Sequence, residues 1–211
     1  MEKMPSPPRP RNHWSFLRIV LVGSLVVALQ LTVAARKKPV AQTESEAADA
    51  FQRKIDYIQA NAKKDPPDGR PTVVQENEVN AYFAQRRLKM PDGVKQVMFQ
   101  FQPGKLTAHT RIDFEEIMKE RHSWNPLLAL FSGVHDADVV AYAQGLGGRV
   151  QVRVDSVALD GVKVPRMALE MFIEKFVQPK YPAVRLDGDY KLPARLDTVK
   201  IAEHQATVTQ R

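Results

Sequence analysis

The chain has 211 residues, 44% hydrophobic and 26% charged, which is ordinary for a folded domain with a core. Its net charge of +7 is concentrated at the start: residues 1–38 hold seven basic side chains and one acid, leaving 24 basic and 23 acidic groups on the other 173 residues. A near-neutral domain without a basic stripe argues against a nucleic-acid partner, and the absence of cysteine excludes disulfides, thiolate catalysis and Cys-ligated zinc.

Residues 1–15 read as a short, basic, Pro-rich cytoplasmic tail. Residues 16–35 are apolar apart from Arg18, Ser24, Gln30 and Thr32. Twenty residues make about 30 Å of helix, enough to cross a bilayer core. Trp14 sits where an interfacial Trp is expected, and Arg18 is close enough to the edge to snorkel. Val33 and Ala35 suit a cleavage site, but Arg36-Lys37-Lys38 follow at once, so an uncleaved signal anchor is favoured. The expected arrangement is a single-pass membrane protein, bound to the bilayer through residues 16–35. Its soluble part faces the periplasm or the cell exterior.

Residues 36–71 read as a juxtamembrane helix and linker. Thr43-Glu44-Ser45-Glu46 has the form of a capping box. Ala48, Phe51, Ile55, Ile58 and Ala62 then recur at spacings of three and four, predicting a helix over 43–63. A Pro-rich turn over 64–71 follows. The rest, 72–211, is expected to form one α+β domain.

A shorter helix is predicted over 75–88, with Val79, Tyr82, Phe83 and Leu88 on its buried face. The period then becomes two. Val97, Phe99 and Phe101 lead to a Pro103-Gly104 turn, and Leu106, Ala108, Thr110, Ile112 and Phe114 follow, giving a β-hairpin with one apolar face. Asn125 and Pro126 open a short apolar helix toward Phe131. A second hairpin follows, with Val139, Ala141 and Ala143 on one strand, a turn at Gly145-Leu146-Gly147-Gly148, and Val150, Val152 and Val154 on the next. Val157 and Leu159 are out of phase with those valines, which predicts a β-bulge or bend near Asp155-Ser156. Asp160-Gly161 is a two-residue hairpin turn. Pro165 starts an apolar helix carrying Met167, Leu169, Met171, Phe172, Phe176 and Val177, and Pro179 ends it. Strands over 183–192 and 197–209 complete the chain. The expected fold is α+β: a curved antiparallel sheet of six or seven strands wrapping a long apolar helix, preceded by the N-terminal transmembrane helix.

Catalytic spacings are absent: no Gly-x-Ser-x-Gly, His-Glu-x-x-His or P-loop pattern occurs. The glycines at 145–148 lie between strands, so they read as a turn and not a phosphate cradle. Asp187-Gly188-Asp189 lacks the later ligands of a calcium loop. His122, His135 and Asp138 read as loop residues, Glu115, Glu116 and Glu120 as a solvated turn, and His109 and Arg111 as a polar hairpin face. The expectation is no catalytic activity, no metal and no cofactor.

Glu76-Asn77-Glu78-Val79-Asn80-Ala81-Tyr82, leading into a hairpin, resembles a helix start of the TULIP-like extracytoplasmic lipid-binding group. So does Gly161-Val162-Lys163-Val164-Pro165 feeding an apolar helix, with a later strand ending in Leu192-Pro193. The likeness covers the order of elements over 72–211. It implies a long helix cradled by a curved antiparallel sheet, and carries no functional residue with it.

The expected function is a membrane-anchored binding module for lipid or another hydrophobic ligand. Phe99, Phe101, Leu106, Ile112, Phe114, Met171 and Phe172 are the expected ligand contacts, with residues 124–131 as a lid or membrane-touching tip. The alternative is a non-catalytic structural or interaction subunit of a cell-envelope assembly, with an envelope protein as its partner.

Overall fold

The computed structural model describes residues 43–118 and 131–211. The expected anchor at 16–35 and the expected helix at 125–130 lie outside the described residues. Among the described residues no helix is long and apolar enough to cross a membrane.

Helix α1 spans Glu44–Asn61. Its capping box forms: the Thr43 N–H donates to Glu46 at 2.9 Å and the Glu46 N–H to the Thr43 hydroxyl at 3.3 Å. Strand β1 is Thr72–Gln75 and helix α2 is Glu76–Ala84, shorter than predicted because the chain turns through Arg86 at φ +51°. The α1 stripe packs on α2, where the Phe51 and Tyr82 rings meet edge to face at 5.1 Å. Lys54 reaches the buried Glu78 at 2.6 Å.

Strands β2 (Val94–Gln102) and β3 (Lys105–Asp113) form the predicted hairpin, with Phe101 opposite Leu106 and Gly104 at φ +69° in the turn. A short helix α3 follows at Phe114–Met118. Strands β4 (Val134–Leu146) and β5 (Arg149–Leu159) are the longest. The predicted bulge is present: Val140 faces Ser156 and Ala141 faces Val154, leaving Asp155 without an opposite residue. Asp160 and Gly161 both take positive φ, as a type I′ turn demands, and lead into β6 (Val162–Lys163).

Helix α4 covers Arg166–Phe172 and continues as a π-helical turn over Ile173–Val177. Strands β7 (Asp187–Lys191), β8 (Leu196–Ala202) and β9 (Gln205–Gln210) complete the fold.

All nine strands among the described residues belong to one open antiparallel sheet. The order is β1-β9-β8-β4-β3-β2, and β5 lies on the other edge of β4, carrying β6 and β7. Two expectations are thereby corrected. The sheet has nine strands, not six or seven: β1 pairs with β9, and the predicted strand at 197–209 is a hairpin turning at Glu203-His204, with His204 at φ +54°. The helical segment 166–177 is short, and Met167 on it is 60% exposed, so it covers one part of the sheet face and is not a long core helix.

Strand β2 is an edge of the sheet, and α2 caps part of it. The Asn80 side chain accepts from the Phe99 N–H at 2.7 Å and donates to the Phe99 carbonyl at 2.8 Å. Glu76 accepts from the Phe101 N–H at 2.5 Å.

Candidate functional site

The sheet's apolar face carries two buried clusters. The first joins Val79 and Phe83 of α2 to Phe99, Phe101, Leu106, Ala141, Ala143 and Val150, and to Val199, Ile201 and Val208 of the β8–β9 hairpin. The second joins Phe114, Phe131, Ala137 and Leu159 to Ala168, Leu169, Phe172 and Phe176 of the α4–π segment. In the second, Phe131 stacks on Phe172 at 4.4 Å and meets Phe114 edge to face at 5.3 Å.

Strand alternation shows which residues lie between them. Along β4, Ala141 belongs to the first cluster and Ala137 to the second, while Val139 is half-buried and a member of neither. Its cross-strand neighbours are Ala108 and Val157. Val97, Ala108, Thr110, Val152, Val154 and Val157 are also half-buried, and Val154 alone packs against both clusters. These residues make a diagonal apolar band across the sheet. The one hydroxyl among them, on Thr110, donates to the Gln96 carbonyl at 2.7 Å. Side chains on this face of β4 are small, with Ala137, Ala141 and Ala143 around Val139 and then Gly145.

Phe99, Phe101 and Leu106 fall in the first cluster; Phe114 and Phe172 fall in the second. All five are buried, so they are core residues supporting the two ends of the band. Ile112 and Met171 are half-buried at the margin of the second cluster. The expected contacts thus split into two groups, and the valines between them were overlooked. The signal was in the sequence: the bulge at Asp155 lies between Val154, which packs against both clusters, and Val157, which packs against the second alone.

The polar candidates do not converge. His109 pairs with Asp138 at 2.6 Å on the exposed outer face of β3 and β4. Asp187 and Asp189 are engaged by Arg166 and Arg149. His122 lies outside the described residues. His135 shares the inner face with Ala137. Its Nδ1 lies 2.6 Å from Asp160 Oδ2 and its Nε2 lies 2.6 Å from the Ser132 carbonyl. The Asp160 carboxylate, and then the Ser132 carbonyl, hold this imidazole above its ordinary range. In return His135 holds Asp160 below the usual carboxylate value, helped by the Asp136 N–H. Both ring nitrogens are committed, which leaves no lone pair for general-base work. Among the described residues no group of three or more His, Asp or Glu is placed to hold a metal.

Comparison with protein-family models, with curated proteins and with solved structures gives no match. The resemblance to the TULIP-like group rests on the chain's own residues.

Proposed function

We propose that this chain is a membrane-anchored extracytoplasmic module that binds lipid or another apolar molecule, with hydrocarbon lying along the half-buried band. The observation carrying this reading is that one sheet face holds two buried clusters with a half-buried apolar band between them. Along β4 the band's two banks, Ala137 and Ala141, are four residues apart, or about 13 Å of strand. A band of valine and alanine, with its one hydroxyl already bonded, suits a hydrocarbon chain and offers nothing to a polar headgroup, which would stay in solvent. The apolar segment at 16–35 supplies the tether. The element order shared with the TULIP-like group points the same way.

The test is photocrosslinking. Full-length protein in its native membrane is exposed to a fatty acid carrying a diazirine near the end of its chain, irradiated, digested and mapped by mass spectrometry. Adducts are expected on peptides containing Val97, Ala108, Val139, Val154 or Val157. Adducts confined to residues 16–35 would refute the reading and leave the envelope-subunit alternative.

A further inference from the structure

His135 holds a position that one protonation state alone can satisfy. Asp160 Oδ2 and the Ser132 carbonyl each lie 2.6 Å from a ring nitrogen, and both can only accept. A neutral imidazole has one N–H, so one of these contacts would set lone pair against lone pair. The imidazolium donates to both. Asp160 is itself fixed, because its Oδ1 takes the Asp136 N–H at 2.9 Å. Among the described residues, the charged groups around the pair are Asp160 on the β5–β6 turn, Arg111 of β3, which acts on Asp160, and Asp136 next to His135 on β4.

What the imidazolium holds is the chain at Phe131. Ser132 follows Phe131, which is 1% exposed and stacked on Phe172. Gly133 accepts the Phe114 N–H at 2.9 Å, and the Phe114 ring lies 5.9 Å from the His135 ring. The protonated histidine therefore ties Phe131 into the cluster that bounds one end of the apolar band.

We propose that His135 is a proton-operated latch: protonated, it seats Phe131 against Phe172 and closes that end of the band; neutral, it keeps Asp160 and lets go of Ser132, and Phe131 loosens to lengthen the site. This deepens the lipid-binding reading and rests on it. The Asp160 bond survives because it is charge-assisted, while the Ser132 carbonyl meets a bare ring nitrogen. The direction follows from linkage. A histidine raised by folding contributes its hold fully below its unfolded value of 6.5 and loses it as pH climbs through the raised value, so opening comes with alkalinity.

Three readouts on the full-length chain test this. Imidazole nitrogen NMR follows the protonation of His135. Hydrogen exchange, corrected for intrinsic rates, follows the amides of residues 132–135 from pH 5 to pH 9. Diazirine fatty-acid adducts on the band are counted over the same range. The expected result is exchange rising at least tenfold above pH 6.5, with adduct yield rising alongside it. Asp160→Asn keeps an acceptor but removes the charge, and should move both midpoints to lower pH. Phe131→Leu should give high adduct yield at every pH. Exchange that is flat with pH, or an Asp160→Asn protein that titrates like the original, overturns the latch. Flat exchange with adducts present leaves lipid binding standing without it. Exchange that opens with no band adduct at any pH overturns the lipid reading and the latch's role with it.

Discussion

Substituting Val139 by phenylalanine separates an open band from a filled interior. Val139 is half-buried, belongs to neither cluster and is flanked by Ala108 and Val157. Its same-face neighbours on β4 are Ala137 and Ala141, both small. A phenyl ring placed there would lie over the half-buried band between Ala137 and Ala141, which are about 13 Å apart along the strand. Stability should then stay within about 1 kcal/mol of the original, well short of overpacking a tight core. Ala141→Phe is the internal control. Ala141 is 5% exposed inside the first cluster, so the same ring must displace packed neighbours at a cost of about 3 kcal/mol or more. The assay is urea unfolding of the full-length chain followed by circular dichroism, with linear extrapolation. Val139→Phe should also lower fatty-acid affinity at least tenfold, or about 1.4 kcal/mol. Equal destabilisation by the two substitutions would mean the band is packed, and the binding reading would fall.

Further outcomes follow from single contacts. An added Cβ on Gly145 would lie 2.5 Å from the Val199 Cβ, a position no rotamer change relieves, so Gly145→Ala should cost about 1–3 kcal/mol in the same assay. Lys54→Ala leaves the buried Glu78 carboxylate without its cation and should cost more than Arg87→Ala, whose exposed pair with Asp49 is worth about 0–1 kcal/mol; urea midpoints compare them. The Arg70 side chain and then its backbone N–H hold the Asp68 carboxyl at about 2, so Arg70→Ala should return it toward 3.8. Carbonyl-carbon NMR titration reads that shift. The loop's ion pair is complete above pH 3.8 and is lost as pH falls through about 2.

Local chemistry made most of the fold readable. The capping box at Thr43, the Pro103-Gly104 and Asp160-Gly161 turns and the phase slip at Asp155 each reflect forces within a few residues, and each is present as expected. Long-range pairing was not readable. Strand β1 has four residues and exists because β9 lies beside it. The turn at Glu203-His204 contains no glycine, proline or asparagine, so nothing marked the break between β8 and β9. The candidate site was half legible for a related reason. Alternation told which side chains face inward, and bulk then singled out the phenylalanines. Burial depends on what lies overhead, and the large rings are the residues that the helices α2 and α4 cover.

The cap on β2 bears on how copies of this protein behave side by side. Molecules tethered in one membrane plane, as proposed, would meet at high effective concentration, where an open strand edge is a template for growing a shared sheet. Asn80 already occupies both main-chain groups of Phe99, and Glu76 occupies the Phe101 N–H, so a neighbouring strand would have to displace two side chains before it could pair. The stretch that resembles the TULIP-like helix start therefore guards the β2 edge of the sheet against pairing with a second copy.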